Sequence, residues 1–249
     1  MIEAKYKLTE ESVVVNGKTL YRIEALKDFA DVKKGDKGGF IEKEYNLSQK
    51  DNCWVYDNAK VYGNAKVYGN ARICGNAEVF DIAKVSGEAW VYDNAEVFGN
   101  AMVYDNAEVF GNAQVYGNVK VHNNAMVCGN AQVYDNVVVY DNAKVYDNAQ
   151  VHDNAEVRDN ARIYGNAKLR GSAKVYGDAR IYDNAKVCMD AEVYGKAIVL
   201  DNARIYDNAK VYEDAVVYGN AMIYGNAEVY GNAEVYQYAK VCGDVKISE

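Results

Sequence analysis

The stretch VYDNAKVYGNAKVYGNA, Val55 to Ala71, repeats one six-residue phrase almost three times. From Val55 an aliphatic residue returns at every sixth position with no insertion or deletion. The series passes through Val61, Val67, Ile73, Leu169, Ile181 and Val199 to Ile247, thirty-three hexads in all. Numbered from the aliphatic, slot 2 is aromatic, slot 3 Gly or Asp, slot 4 usually Asn, slot 5 Ala with occasional Val (Val119, Val137, Val245), and slot 6 variable and mostly charged. Strict self-similarity at a short period marks a solenoid, in which stacked units bury a core that no single unit could bury alone.

Each slot has a physical reading. In Ala-Lys-Val-Tyr the side chains alternate across a strand, so Ala and Val point inward while Lys and Tyr point outward. Gly-Asn or Asp-Asn is the corner, because Gly and Asn tolerate positive φ better than other residues. No 3.6-residue periodicity is present, which excludes helical repeats. The pattern aliphatic-x-x-Asn-small-x resembles the hexapeptide repeat of the left-handed parallel β-helix. That resemblance implies triangular coils of three hexads, hence about 11 coils and a rod roughly 50 Å long at the ~4.8 Å strand spacing. Residues 18 apart then stand above one another. One slot-6 column reads Glu156, Lys174, Glu192, Lys210, Glu228, Lys246, an alternation of opposite charges that supports the 18-residue coil.

The first 54 residues break the phrase. SVVVNGKTLYRIEAL reads as a β-hairpin around Asn16-Gly17. The following DVKKGDKGGFIEKEYNLSQKDNCWV reads as one irregular first coil. Residues 1–54 are therefore expected to cap the solenoid formed by 55–249, since an open edge is a template for aggregation. At the other end the hexads run to VCGDVKISE with no visible cap. The N-terminal phrases KYKLTEESVVVNGKTLYRIEALKDF and GDKGGFIEKEYNLSQ also resemble the bacterial and phage hexapeptide-repeat proteins typified by YdcK. Those proteins carry an acetyltransferase label drawn from the wider acyltransferase superfamily.

Composition narrows the partners. The chain has 249 residues, 50% of them hydrophobic and 26% charged, which excludes a disordered polymer. The net charge of −8 argues against direct nucleic-acid binding and against an acidic partner. No apolar run reaches membrane-spanning length, and MIEAKYKLTEESV lacks signal-peptide order, so a cytoplasmic protein is expected. The five cysteines are isolated. Cys74 and Cys128 share a column, as do Cys188 and Cys242, but each pair is three coils apart, about 14 Å, too far for a disulfide.

Three functions are weighed. The favoured one is a non-catalytic scaffold that binds a protein partner or itself, as a homo-oligomer, through its outward tyrosine columns or its C-terminal edge. The second is an acyltransferase with an intersubunit site, the one reading that calls for acetyl-CoA; otherwise no cofactor is expected. Its candidate bases are the two histidines, His122 and His152, both in the slot normally held by Tyr. The unbroken register leaves no room for the extruded loop that the superfamily resemblance implies. The third is an acidic mimic of nucleic acid that inhibits a DNA-binding protein. Regular outward Thr rows are absent, which disfavours ice binding. The tyrosine columns are interrupted near mid-chain, so the candidate binding patch is Tyr134, Tyr140, His152, Arg158 and Arg170. Asp135 stands over Asp153 and Asp141 over Asp159, stacks that attract cations, but corner chemistry accounts for Asp there and no metal ligand is assigned.

Overall fold

The computed structural model describes residues 4–249 and has the predicted all-β architecture, a parallel β-solenoid whose strands fall into three sheets. Residues 1–3 of the expected cap lie outside the described residues. The chain divides into two compact units, Met1–Asn118 and Val119–Glu249.

The first unit opens with the hairpin. Strand β1 (Tyr6–Val15) pairs antiparallel with β2 (Lys18–Ala25). Asn16 and Gly17 both take positive φ, 51° and 75°, the signature of a type I′ turn. Strand β2 then pairs antiparallel with β3 (Lys37–Ile41), and β3 pairs parallel with Lys60–Val61. The hairpin thus extends one wall of the solenoid. It is tied down by two buried residues. The Lys5 ammonium donates to the carbonyls of Asp51 and Cys53 at 2.7 and 2.9 Å, and the Tyr6 hydroxyl donates to those of Glu44 and Leu47 at 2.8 Å each. Tyr6 and Phe29 meet the buried Trp54 ring edge-on. A Cβ at Gly38 or Gly39 would collide with the carbonyl oxygens of Val55 and Ala59, so only glycine lets β3 lie this close to the next coil.

In both units each wall is built from two-residue strands, slots 6 and 1, paired parallel with the strand 18 residues on: Lys60 with Glu78 and Val61 with Val79, or Lys174 with Glu192 and Val175 with Val193. Flanking amides lengthen the ladder, as where the Tyr62 N–H donates to the Val79 carbonyl. Slot-1 and slot-5 side chains fill the interior and are fully buried from Ala59 through Ala233. Among the described residues there is no α-helix, one 3₁₀ turn at Glu44–Asn46, and no helix long and apolar enough to cross a membrane.

The corners correct one expectation. Every slot-3 residue from Asp57 to Gly243 takes positive φ, from 52° to 79°, whereas no slot-4 Asn does. The slot-5 amide closes each corner onto the slot-2 carbonyl, as from Ala59 to Tyr56. Positive φ at the first central residue alone is the II′ pattern. Asn is therefore not needed for backbone geometry. Its amide donates to the Asn oxygen one coil on: Asn76 to Asn94 to Asn112 in the first unit, Asn130 to Asn148 to Asn166 to Asn184 in the second, at 3.0–3.4 Å. Asp has a second role too. Its carboxylate accepts the slot-3 N–H of the next coil, as from Gly75 to Asp57 and from Gly177 to Asp159. The irregular first coil does the same with Glu42 and Asp51, which accept from Gly63 and Gly69.

Candidate functional site

The outward aromatic columns are stacked as expected. Tyr62, Phe80, Phe98 and Tyr116 lie 4.7–5.0 Å apart and within 5° of parallel. Tyr176, Tyr194, Tyr212 and Tyr230 form a second such stack at 4.8–5.1 Å. These spacings exceed a carbon–carbon contact of about 3.5–4.0 Å, so the rings are offset, the favoured geometry for π-systems. The columns are not open aromatic stripes, because most of these rings are half-buried. Several also spend their hydroxyl inside the solenoid, on the glutamate 16 residues ahead: Tyr62 on Glu78, Tyr92 on Glu108, Tyr176 on Glu192, Tyr212 on Glu228. That diagonal pair was readable as a spacing, since Glu in slot 6 recurs 16 residues after Tyr in slot 2.

The structure splits the predicted patch between two walls. Tyr134, His152 and Arg170 follow the strands Gln132–Val133, Gln150–Val151 and Lys168–Leu169 of one wall. His122, Tyr140 and Arg158 follow Lys120–Val121, Val138–Val139 and Glu156–Val157 of another. On the second wall, the His122 ring stacks on Tyr140 at 5.2 Å. Tyr140 donates to Glu156, and Arg158 bonds Glu156 at 3.2 Å and Asp159 at 3.3 Å while its guanidinium covers the Tyr176 ring at 4.2 Å. Glu156, which no motif singles out, organises this group. Burial, and next the Glu156 carboxylate, push the Tyr140 hydroxyl up to about 12.

On the first wall His152 stacks on Tyr134 at 4.8 Å, with Nδ1 3.3 Å from Asp153 Oδ2. Carboxylate oxygens of Asp135 and Asp153 and a ring nitrogen of His152 all lie within 4.8 Å of one another. The Gly171 N–H donates to Asp153 at 2.8 Å and is the main cause that holds its carboxyl below the usual range. Higher on the same wall the slot-6 residues are Lys168, Lys186 and Arg204, all exposed and paired directly with one another in the strand register. Arg170, Lys186 and Arg204 line a depression of about 250 Å³ with Cys188, Met189 and Tyr206. The overall charge of −8 hides this segregation.

Two stretches of the chain, residues 131–147 and 203–219, match a family model described as the YdcK beta solenoid repeat. The chain is a β-solenoid with a repeat similar to that of YdcK in these stretches. The first matched stretch holds Tyr134, Asp135 and Tyr140 but stops before His152, Arg158 and Arg170, so the match describes the repeat and not the histidine cluster. No curated protein matches the chain.

Proposed function

We propose that this solenoid is a scaffold whose binding face is the wall bearing Arg170, Lys168, Lys186 and Arg204, and that its partner is an acidic protein segment. One observation supports the reading: Lys168, Lys186 and Arg204 are stacked like charge on like charge in strand register. Like charges directly opposite destabilise a sheet. The neighbouring wall shows that this fold accommodates the alternating arrangement, with Glu156, Lys174, Glu192 and Lys210 in the same slot. The cation stack, like that of Lys144, Arg162 and Arg180 on the third wall, adds nothing to the fold's own stability, and an acidic partner would offset its repulsion. A discrete acidic segment suits it better than a duplex, because corner aspartates such as Asp183, Asp201 and Asp207 interrupt the positive field. The five cysteines, none in a disulfide, support a reducing, cytoplasmic setting for this role.

The test is fluorescence anisotropy with a labelled glutamate-rich peptide. Binding should weaken as salt rises and disappear when Lys168, Lys186 and Arg204 are together replaced by Glu. Equal affinity for the triple variant would refute the reading.

A further inference from the structure

Of the three stacks of aspartate on aspartate in the second unit, two have a basic side chain in the adjoining tyrosine slot, and the difference between those two points to a ligand. Asp141 and Asp159 occupy successive coils at one corner. The Asn123 amide donates to Asp141 at 2.8 Å, and Arg158, a permanent cation in the tyrosine slot, sits 3.3 Å from Asp159. At another corner Asp135 and Asp153 occupy successive coils in the same way, and Asp135 Oδ2 accepts the Asp153 N–H at 3.3 Å. The tyrosine slot beside Asp153 again holds a base, but here it is His152. Unlike the arginine guanidinium, an imidazole is not a permanent cation, and its ring nitrogens serve as metal ligands. What it supplies is a ring nitrogen grouped with two carboxylates, with Nδ1 3.3 Å from Asp153 Oδ2.

We propose that Asp135, His152 and Asp153 form a binding site for one divalent transition-metal ion of the zinc, cobalt or manganese class. Among the described residues this is the one group of three or more such side chains whose ligand atoms all lie within 4.8 Å of one another. Bonds of about 2.0–2.2 Å to imidazole nitrogen and carboxylate oxygen bring ligand atoms somewhat closer than that, a contraction that small side-chain rotations supply. The imidazole excludes calcium and magnesium, which take oxygen donors, and the absence of thiolate in the set excludes soft ions. His152 is held in orientation by its stack on Tyr134, and its side chain is only 20% exposed. Asp153 is fixed by the Gly171 N–H, which donates to the Oδ2 that faces His152. Its side chain is 45% exposed, so water can complete the coordination sphere. Arg170, next above His152 in the column, opposes the ion, against two carboxylates that attract it. This site is independent of the acidic-partner reading, which rests on other side chains.

The chain has two histidines, so its imidazole NMR spectrum contains two ring systems, assigned with His122→Ala. Chelator-treated full-length protein titrated with zinc chloride should show one ring moving, with saturation at one equivalent, and His122→Ala should bind as the unaltered chain does. His152→Phe keeps a ring to stack on Tyr134 but removes the ligand. It should weaken zinc binding by calorimetry at least tenfold, as should Asp135→Asn. Cobalt should give a visible spectrum free of thiolate charge-transfer bands, which separates this site from the cysteines. The proposal is overturned if neither ring moves at millimolar zinc, if the His122 ring moves instead, or if His152→Phe binds zinc as tightly as the unaltered chain.

Discussion

Lys186→Glu should stabilise this protein although it touches nothing in the core. Lys186 is exposed and lies between Lys168 and Arg204, paired directly with both in the parallel register. Adjacent rungs are about 4.8 Å apart, and a directly opposed charged pair contributes roughly 0.2–1 kcal/mol. Solvent screening places these exposed pairs at the low end, about 0.25 kcal/mol each. The substitution removes two repulsions and adds two attractions, which comes to about 1 kcal/mol. For a chain of this size that raises the melting temperature by about 2–4 °C. The internal control is Lys210→Glu on the alternating wall, where Lys210 lies between Glu192 and Glu228; there the identical change should lower the melting temperature. Differential scanning calorimetry reads both. Raising salt to 1 M, where the screening length is about 3 Å, should shrink both differences. Should the two variants shift in the same direction, or the difference survive high salt, the argument from like-charge stacking fails. Success has a second consequence: Lys186→Glu should be more stable and bind the acidic peptide more weakly, the trade expected when a surface serves a partner at the fold's expense.

Three further outcomes follow from the corners and columns. Met189 holds positive φ, 62°, with a half-exposed side chain, so Met189→Gly should raise stability by about 0.5–1 kcal/mol in chemical denaturation, the strain relieved exceeding the entropy glycine adds to the unfolded chain. Asn148→Ala removes one amide bond received from Asn130 and one given to Asn166, and should cost about 1–2 kcal/mol; Asn148→Asp, which keeps the acceptor, should cost less. The Tyr140 and Tyr212 hydroxyls are pushed up to about 12, by burial first and then by the glutamates they bond. A raised folded-state value means stability complete below the unfolded tyrosine range near 10 and lost as pH climbs through 12. Tyrosinate absorbance followed against pH should show that delay, and Glu156→Gln should advance the titration of Tyr140.

The architecture was legible because each slot obeys one constraint. Val and Ala alternate inward, a two-residue corner ends each strand, and the Glu–Lys alternation from Glu156 to Lys246 recurs at 18 residues, the register the strands adopt. What stayed hidden were bonds between coils. The Asn column reads as turn chemistry in one hexad, and only stacking at 18 residues reveals it as a chain of amide hydrogen bonds. Asp likewise reads as a corner residue until its carboxylate is seen to accept the next corner's N–H. The candidate patch was half legible. Breaks in the tyrosine columns marked His152, Arg158 and Arg170 as departures from the phrase, and the structure distributes them over two walls. Lys5 gave no signal, since a lysine near a chain start does not announce burial.

Because slots 2, 3, 4 and 6 all have inter-coil duties, a departure from the phrase carries more information here than in an ordinary protein. Where a substitution keeps the duty, it needs no further explanation: Phe80 for Tyr continues the ring stack, and Glu213 in a corner still accepts the N–H of Gly231. Where it drops the duty and nothing in the solenoid replaces it, the residue answers to something else. Lys186 between two cations gains nothing from its neighbours. His152 replaces a tyrosine hydroxyl that could reach a slot-6 carboxylate, and the slot-6 residue one coil ahead of it is Lys168, so the imidazole turns to the aspartate corner instead. Both departures fall on one wall within three coils. A variant that restores the phrase at both, His152→Tyr with Lys186→Glu, should therefore be the more stable solenoid, should lose zinc binding and should bind the acidic peptide more weakly than the natural sequence does.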